Sequence, residues 1–355
     1  MKNGNRKIAK DETIFVGIDL HIKRWHVTIR TADVELFCSS IPGIWPSLEK
    51  HLSQYKKHSI HVVYEAGYFG FWLHDLLIDF GADCVVTPPS LIPIEYGNKV
   101  KTDKRDSRKL ALLLAKGMLK RVHVPTEKER YHRQATRRRR QLVNDRVRTQ
   151  GRIKAELQLY GIDILSPSGK WTQVYLENLC RIKFKDRWMQ KSFNQLLEQY
   201  KFLENLIAEQ TTLIKELSET PRYKEKVEIL RTIPGVGILV AMVMLIELQD
   251  VSRFQKADQL AAYVGLTPSQ YSSADKVRMG RITCIGKKIL RSMLIQASWH
   301  LIRKDAFMQE KYDKIKVRAG GKRAIVAVAR TLVICMRRLL LDKVSYAPRI
   351  ASSTC

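Results

Sequence analysis

Three short apolar runs, TIFVGIDL (13–20), RWHVTIRT (24–31) and VELFCSS (34–40), follow one another with links of only a few residues. Links that short admit antiparallel neighbours and leave no room for a crossover helix. The period then changes. WPSLEKHLSQYKK (45–57) has helical spacing, SIHVVYEA (59–66) is a strand, and an amphipathic helix surrounds FGFWLHDLLIDFG. A strand, DCVVTPP, and a helix from about Asp106 to Met118 complete the series. The order β-β-β-α-β-α-β-α predicts a sheet that begins antiparallel and continues with parallel strands.

This order matches the RNase H-like arrangement, in which the first and fourth strands are neighbours. It gives the acids of the region a common address. Asp19 ends the run FVGID and Glu65 ends HVVYE. An acid at the end of an otherwise buried strand is costly unless it is solvated, paired or on a metal. KTDKRDSRKL (101–110) adds Asp103 and Asp106, three apart and on one helix face. The plain reading is four surface acids neutralised by neighbouring Lys and Arg. If the strands are neighbours and the helix crosses their edge, the four carboxylates instead converge. They would then bind two Mg2+ ions, hard cations that prefer oxygen and that clamp both oxygens of a phosphoryl transfer.

Charge names the class of partner. Lys and Arg number 63 against 35 Asp and Glu, a formal charge of +28. An excess of this size opposes compaction by self-repulsion and suits a polyanion, nucleic acid before a membrane surface. No apolar core follows the N-terminus MKNGNRKIAKDE, and the longest apolar run, ILVAMVMLI (238–246), is too short to span a bilayer. Six scattered cysteines without metal spacing fit a reduced, cytoplasmic compartment. The charge concentrates between Lys120 and Lys154, where thirteen Lys and Arg face three acids. Arg137, Arg138, Arg139 and Arg140 cover a full helical turn, so their charge is expected to point in every direction and to meet phosphates.

Further on, Leu196, Tyr200, Leu203, Ile207, Gln210, Ile214 and Leu217 are spaced as three heptads of a coiled-coil seam. Such a seam predicts either dimerisation, the favoured reading, or a long helix packed inside its own chain. In LRTIPGVGILVAMVMLIEL (230–248), Pro234, Gly235 and Gly237 precede an apolar helix. That turn resembles a helix-hairpin-helix motif whose N–H groups seat a phosphate, or it is an ordinary helix connection. A polar loop holding Tyr271, Ser272 and Ser273 is expected next, followed by Lys276, Arg278 and Arg281. A serine there is either turn chemistry or a nucleophile among cations.

VGIDLH, YEAGYFG, KTDKRDSRKLA, RTIPGVG and GLTPSQYSSADKVRMGRIT occur in one order and spacing. Over roughly residues 13 to 345 the chain resembles insertion-sequence transposases that join a RuvC-like DEDD domain to a serine-bearing transposase domain, the bridge-RNA-guided recombinases. The resemblance implies a DEDD domain over 13–120, a basic helical and coiled-coil spacer over 121–225, and a mainly α C-terminal domain over 226–345. It implies metal binding by Asp19, Glu65, Asp103 and Asp106, and nucleophilic attack by Ser273 through a phosphoserine link to DNA. Donor and target DNA, a bridge RNA and a homo-oligomer up to a tetramer are the implied partners. Ala274 stands where the family has Gly, which keeps Ser272 open as the alternative nucleophile, and Cys284 replaces a basic residue. Two rival readings fit the same residues: a metal-dependent nuclease acting by hydrolysis, and a non-enzymatic nucleic-acid-binding protein.

Overall fold

The computed structural model describes residues 9, 12–93, 102–162, 171–273, 276–283 and 285–348. Two compact units divide between Val124 and Pro125. In the first, the strands are β1 (Ile14–Leu20), β2 (Arg24–Arg30), β3 (Glu35–Pro42), β4 (Ile60–Glu65) and β5 (Asp83–Thr87). The helices are α1 (Trp45–Leu52), α2 (Trp72–Asp79) and α3 (Asp103–Ala115). The sheet order is β3-β2-β1-β4-β5. β1 is antiparallel to β2 and parallel to β4, so the first and fourth strands are the expected neighbours.

Alternation along the strands sorts the residues onto two faces. Ile14, Val16 and Ile18, with Trp25, Val27, Val62 and Tyr64, join Leu48, Leu52, Leu73 and Leu77 in one core. The opposite face of β4 and β5 packs Val63 and Val85 against Leu110 and Leu113 of α3. Gly17 lies under that helix. A Cβ there would sit 2.2 Å from the Ser107 carbonyl oxygen and 2.5 Å from the Ala111 nitrogen. Only glycine permits so close a crossing of α3 over β1. The period of two then puts Asp19 on the same face, beneath the start of α3.

In the second unit α4 (Glu127–Leu159) packs antiparallel to α6 (Arg187–Ser218), with α5 (Gln173–Arg181) between them in sequence. The chain continues through α7 (Lys224–Arg231), α8 (Ile238–Leu248) and α9 (Ala257–Val264) to strands β6 (Pro268–Ser273) and β7 (Lys276–Ile282). It closes with α10 (Lys288–Leu301), α11 (Ala306–Ala319) and α12 (Gly321–Asp342). α4 and α6 both also touch α8, so spacer and C-terminal helices share this unit. The core is large and apolar, running from Val227 through α8 to Leu332 and Met336. Among the described residues no helix is long and apolar enough to cross a membrane.

Two expectations are corrected here. The heptad seam of α6 does not await a second copy: Leu203 and Ile207 pack on Leu142 of α4. Tyr200 shares a cluster with Ile153 and Leu157. The Gln210 amide, the polar interruption, donates to the Ala135 carbonyl oxygen at 3.2 Å. The seam is thus filled within the chain. The polar loop around Ser273 is instead the antiparallel ribbon β6–β7, with Ser273 opposite Lys276. Its first strand reads PSQYSS, a polar run without alternating apolar residues, so periodicity does not reveal it.

Candidate metal centre and nucleic-acid interface

The candidate centre is the end of the sheet where β1 and β4 finish. Register pairs Ile18 with Tyr64, so Asp19 and Glu65 are the next residues on adjacent parallel strands. Glu65 shares its face with Val63, which packs on α3. Asp19 is opposite His26 on β2, and Glu65 is opposite Thr87 on β5. Above them α3 begins. The Thr102 side chain accepts from the Arg105 amide and caps the helix, which sets Asp103 and Asp106 in its first turn. The positive end of the helix dipole favours both acids there.

The distances show what converges. Asp19 Oδ2 is 3.3 Å from His21 Nε2, and the same nitrogen is 3.5 Å from Asp103 Oδ2. Ligand atoms of Asp19, His21 and Asp103 all lie within 4.8 Å of one another. Asp106 belongs to the same field. Burial pushes the Asp19 carboxyl above its ordinary range, and the charges of Asp103 and Asp106 push it further, against the opposing pull of His21. Asp19, Asp103 and Asp106 thus share one electrostatic field, and Glu65 stands at the adjoining strand end on the same face.

Sequence reasoning missed the histidines. His21 follows Asp19 by two residues and reaches back over the strand end; the only signal was the DLH triplet itself. His26 Nδ1 lies 3.1 Å from Ser107 Oγ, which is 2.9 Å from Thr28 Oγ1. Burial pulls the His26 pKa down, while Asp103 and Asp19 partly oppose it. This network fastens α3 to β2 directly behind the acids.

The chemistry of the donor set fits a divalent cation. Carboxylate oxygens are the ligands that hard ions take. A partly buried carboxylate with two like charges nearby is held in a costly ionised state, and a cation between them relieves that cost. Asp19, Asp103 and Asp106 would hold it, with Glu65 at the adjoining strand end.

The basic helix is more divided than its sequence implies. Arg137 Nε donates to Glu247 Oε1 at 3.0 Å, and Arg133 Nε is 3.6 Å from Glu247 Oε2. Arg139 donates to Thr211 Oγ1 at 2.7 Å, and burial draws its pKa down. Arg146 pairs with Glu204 at 2.8 Å. Arg138 and Arg140, with Arg148, Arg152 and Lys154, are exposed. The four-arginine block therefore does not point everywhere: Arg137 and Arg139 serve the helix packing, and Arg138 and Arg140 face water.

Glu247 was not singled out from the sequence either. It is 1% exposed inside the apolar helix α8, and Lys287 Nζ lies 4.0 Å from it. An acid inside ILVAMVMLIEL was the available signal, because a charge there needs cations beside it.

In the turn before α8, Gly235 has φ +87 and a Cβ would lie 2.6 Å from the Ala297 carbonyl oxygen. Its glycine answers to that close packing on α10. Gly237 caps α8 with open space around its Cα. Ser273 ends β6, and the two residues after it lie outside the described ones. Tyr271, Arg278 and Arg281 are exposed on the ribbon. The backbone of Lys276 begins β7.

Residues 16–162 match a family model for a DEDD transposase of IS110 type, described as Transposase. Residues 227–313 match the Transposase IS116/IS110/IS902 family. The transposase of insertion sequence element IS1533 from Leptospira borgpetersenii is 30% identical over 250 residues, 68% of this chain and 71% of that protein. The protein y4qE of Sinorhizobium fredii, named for a transposase, is 27% identical over 345 residues, covering 95% of this chain and 84% of its own. The IS1111A transposase of Coxiella burnetii is 25% identical over 274 residues, 74% of this chain and 72% of its own. All four site acids fall within the DEDD match and the serine ribbon within the second. The chain belongs to the IS110/IS116 family of insertion-sequence transposases.

Proposed function

We propose that this transposase cuts and rejoins DNA through a serine-linked intermediate, with four carboxylates holding two Mg2+ ions. The observation that carries the reading is the electrostatic field that Asp19, Asp103 and Asp106 share at one sheet end, inside the matched DEDD region. When bound, the ions supply Lewis-acid stabilisation of charge on phosphate oxygens. Ser273 Oγ attacks the DNA phosphorus. An Oγ–P bond forms as Oγ gives up its proton, a P–O bond to the leaving strand breaks, and that strand's oxygen takes up a proton in turn and departs as a hydroxyl. The serine ester keeps the phosphodiester energy, so rejoining to a new strand needs no cofactor. Lys276, Arg278 and Arg281 hold the phosphate, and the α8 N-terminus at Gly237 offers N–H groups to another. Exchange between two duplexes requires several copies of the chain, up to a tetramer.

Target choice is assigned to a bridge RNA. The supporting feature is the exposed set Arg138, Arg140, Arg148 and Arg152 on α4, which suits a phosphate backbone and carries no base-reading pattern. The test of the serine step is a denaturing gel. Wild type forms a covalent protein–DNA adduct; Ser273→Ala binds DNA and forms none. An adduct that survives Ser273→Ala and vanishes with Ser272→Ala moves the nucleophile by one residue. Cleavage without any adduct in wild type points to direct hydrolysis by the acidic edge. Sequencing of RNA purified with the protein tests guidance: one structured transcript supports it, and a random cellular sample refutes it.

A further inference from the structure

We infer that His21 is itself a ligand at the acidic edge, and that its nitrogen makes this site bind a first-row transition ion, with Mn2+ as the probe, more tightly than Mg2+. The inference rests on the reading of that edge as a metal site. His21 Nε2 lies 3.3 Å from Asp19 Oδ2 and 3.5 Å from Asp103 Oδ2. Both separations exceed the roughly 2.9–3.0 Å of a good N–H···O hydrogen bond. One imidazole nitrogen has either one proton or one lone pair, so it cannot satisfy two carboxylates together. The Asp19 contact is a long hydrogen bond, and the three ligand atoms also lie close enough together to share one ion. Adjacent ligands of an octahedral ion at about 2.1 Å stand about 3 Å apart, and opposite ones about 4.2 Å. The group of three, whose members all lie within 4.8 Å, fits that envelope with little adjustment.

The chain path supports the same assignment. His21 is the first residue after β1, where the three-residue link to β2 leaves the sheet. Its ring is 52% exposed and lies over both acids. An all-oxygen site would suit Mg2+, which demands near-ideal octahedral geometry with hard donors. An imidazole in the set moves preference toward first-row transition ions, which accept nitrogen beside carboxylate.

The test uses the full-length chain stripped of metal and titrated with Mn2+ alone, read by pulsed electron paramagnetic resonance and by calorimetry. Wild type is expected to show nitrogen coupling from a directly bound imidazole and to bind Mn2+ at least tenfold tighter than Mg2+. His21→Ala, at a half-exposed position, should keep the wild-type circular dichroism, lose the coupling and lose the preference. The companion variant His123→Asn, at an exposed position, should keep both. Bound Mn2+ without nitrogen coupling in wild type overturns the His21 assignment and leaves the acidic site standing. Coupling that survives His21→Ala also overturns it. Mn2+ affinity that is equally weak in wild type and Asp19→Asn removes the metal reading and this inference together.

Discussion

Two acidic places in this chain are built in opposite ways. Glu247 is one carboxylate with three cations, Arg133, Arg137 and Lys287, all within 4.0 Å. At the end of β1, Asp19 and Asp103 share one histidine, and Asp106 adds like charge. The first arrangement is what a stable core requires when it encloses a charge. The second is what such a core avoids, and it occurs in a protein with 63 basic side chains available to neutralise it. Asp19, partly buried with two like charges in its field, is a place where an external cation would relieve the repulsion.

The largest expected effect breaks the comparison on its functional side. Asp19→Asn, Glu65→Gln, Asp103→Asn and Asp106→Asn should each lower strand exchange by at least roughly a thousandfold, because an amide is a far weaker ligand for a hard ion. The fold should survive in all four. Strand exchange retained in two of them would mean that the acids are merely surface charge.

On the structural side, Glu247→Leu should destabilise the second unit by about 3 kcal/mol, since it leaves buried and half-buried cations without their anion. Thermal unfolding should shift down by roughly 6–12 °C for a unit of this size. An unchanged midpoint would show that the three cations are solvated well enough without Glu247.

Asp19→Asn should have the opposite sign in metal-free protein, a gain in stability at neutral pH. The folded state raises the Asp19 pKa, so its ionised form opposes folding. That penalty is absent below the ordinary carboxylate range, where both states are protonated. It develops as pH rises through the folded value. Denaturant midpoints at acid and neutral pH check this; a loss of stability at neutral pH would contradict the like-charge account.

The smallest effect concerns the basic helix. Arg138→Ala with Arg140→Ala should reduce the slope of log affinity for RNA against log salt by roughly one to two, one phosphate contact per arginine. Stability should not change. Arg137→Ala should do the reverse, lowering stability through Glu247 with little change in slope.

What could be read beforehand depended on burial. The sheet was legible because β1, β2, β4 and β5 alternate between a packed face and a second face, and short links fixed their order. The four candidate acids were legible for a related reason: an ionised side chain at the end of an apolar strand, or twice on one helix turn, is costly enough to stand out. His21 was not, because a histidine two residues past a strand looks like any surface residue until the chain turns back. The ribbon carrying Ser273 was hidden by its polarity. The α6 heptads were visible, but a seam does not say whose helix fills it, and α4 of the same chain does. Glu247 stood in plain view within an apolar run, while its partners came from more than a hundred residues away in α4 for Arg137 and from beyond the ribbon for Lys287.

The central claim is that the ends of β1 and β4 and the start of α3 hold the catalytic divalent ions. Iron-mediated cleavage tests it most directly: Fe2+ replaces the resident ion, and hydroxyl radicals generated with ascorbate and peroxide cut the nearby backbone. Three groups of cuts are expected, around residues 19–21, 65 and 103–106. All should be suppressed by excess Mg2+ and absent in Asp19→Asn. Cuts confined to other segments, or an unchanged pattern in Asp19→Asn, would contradict it.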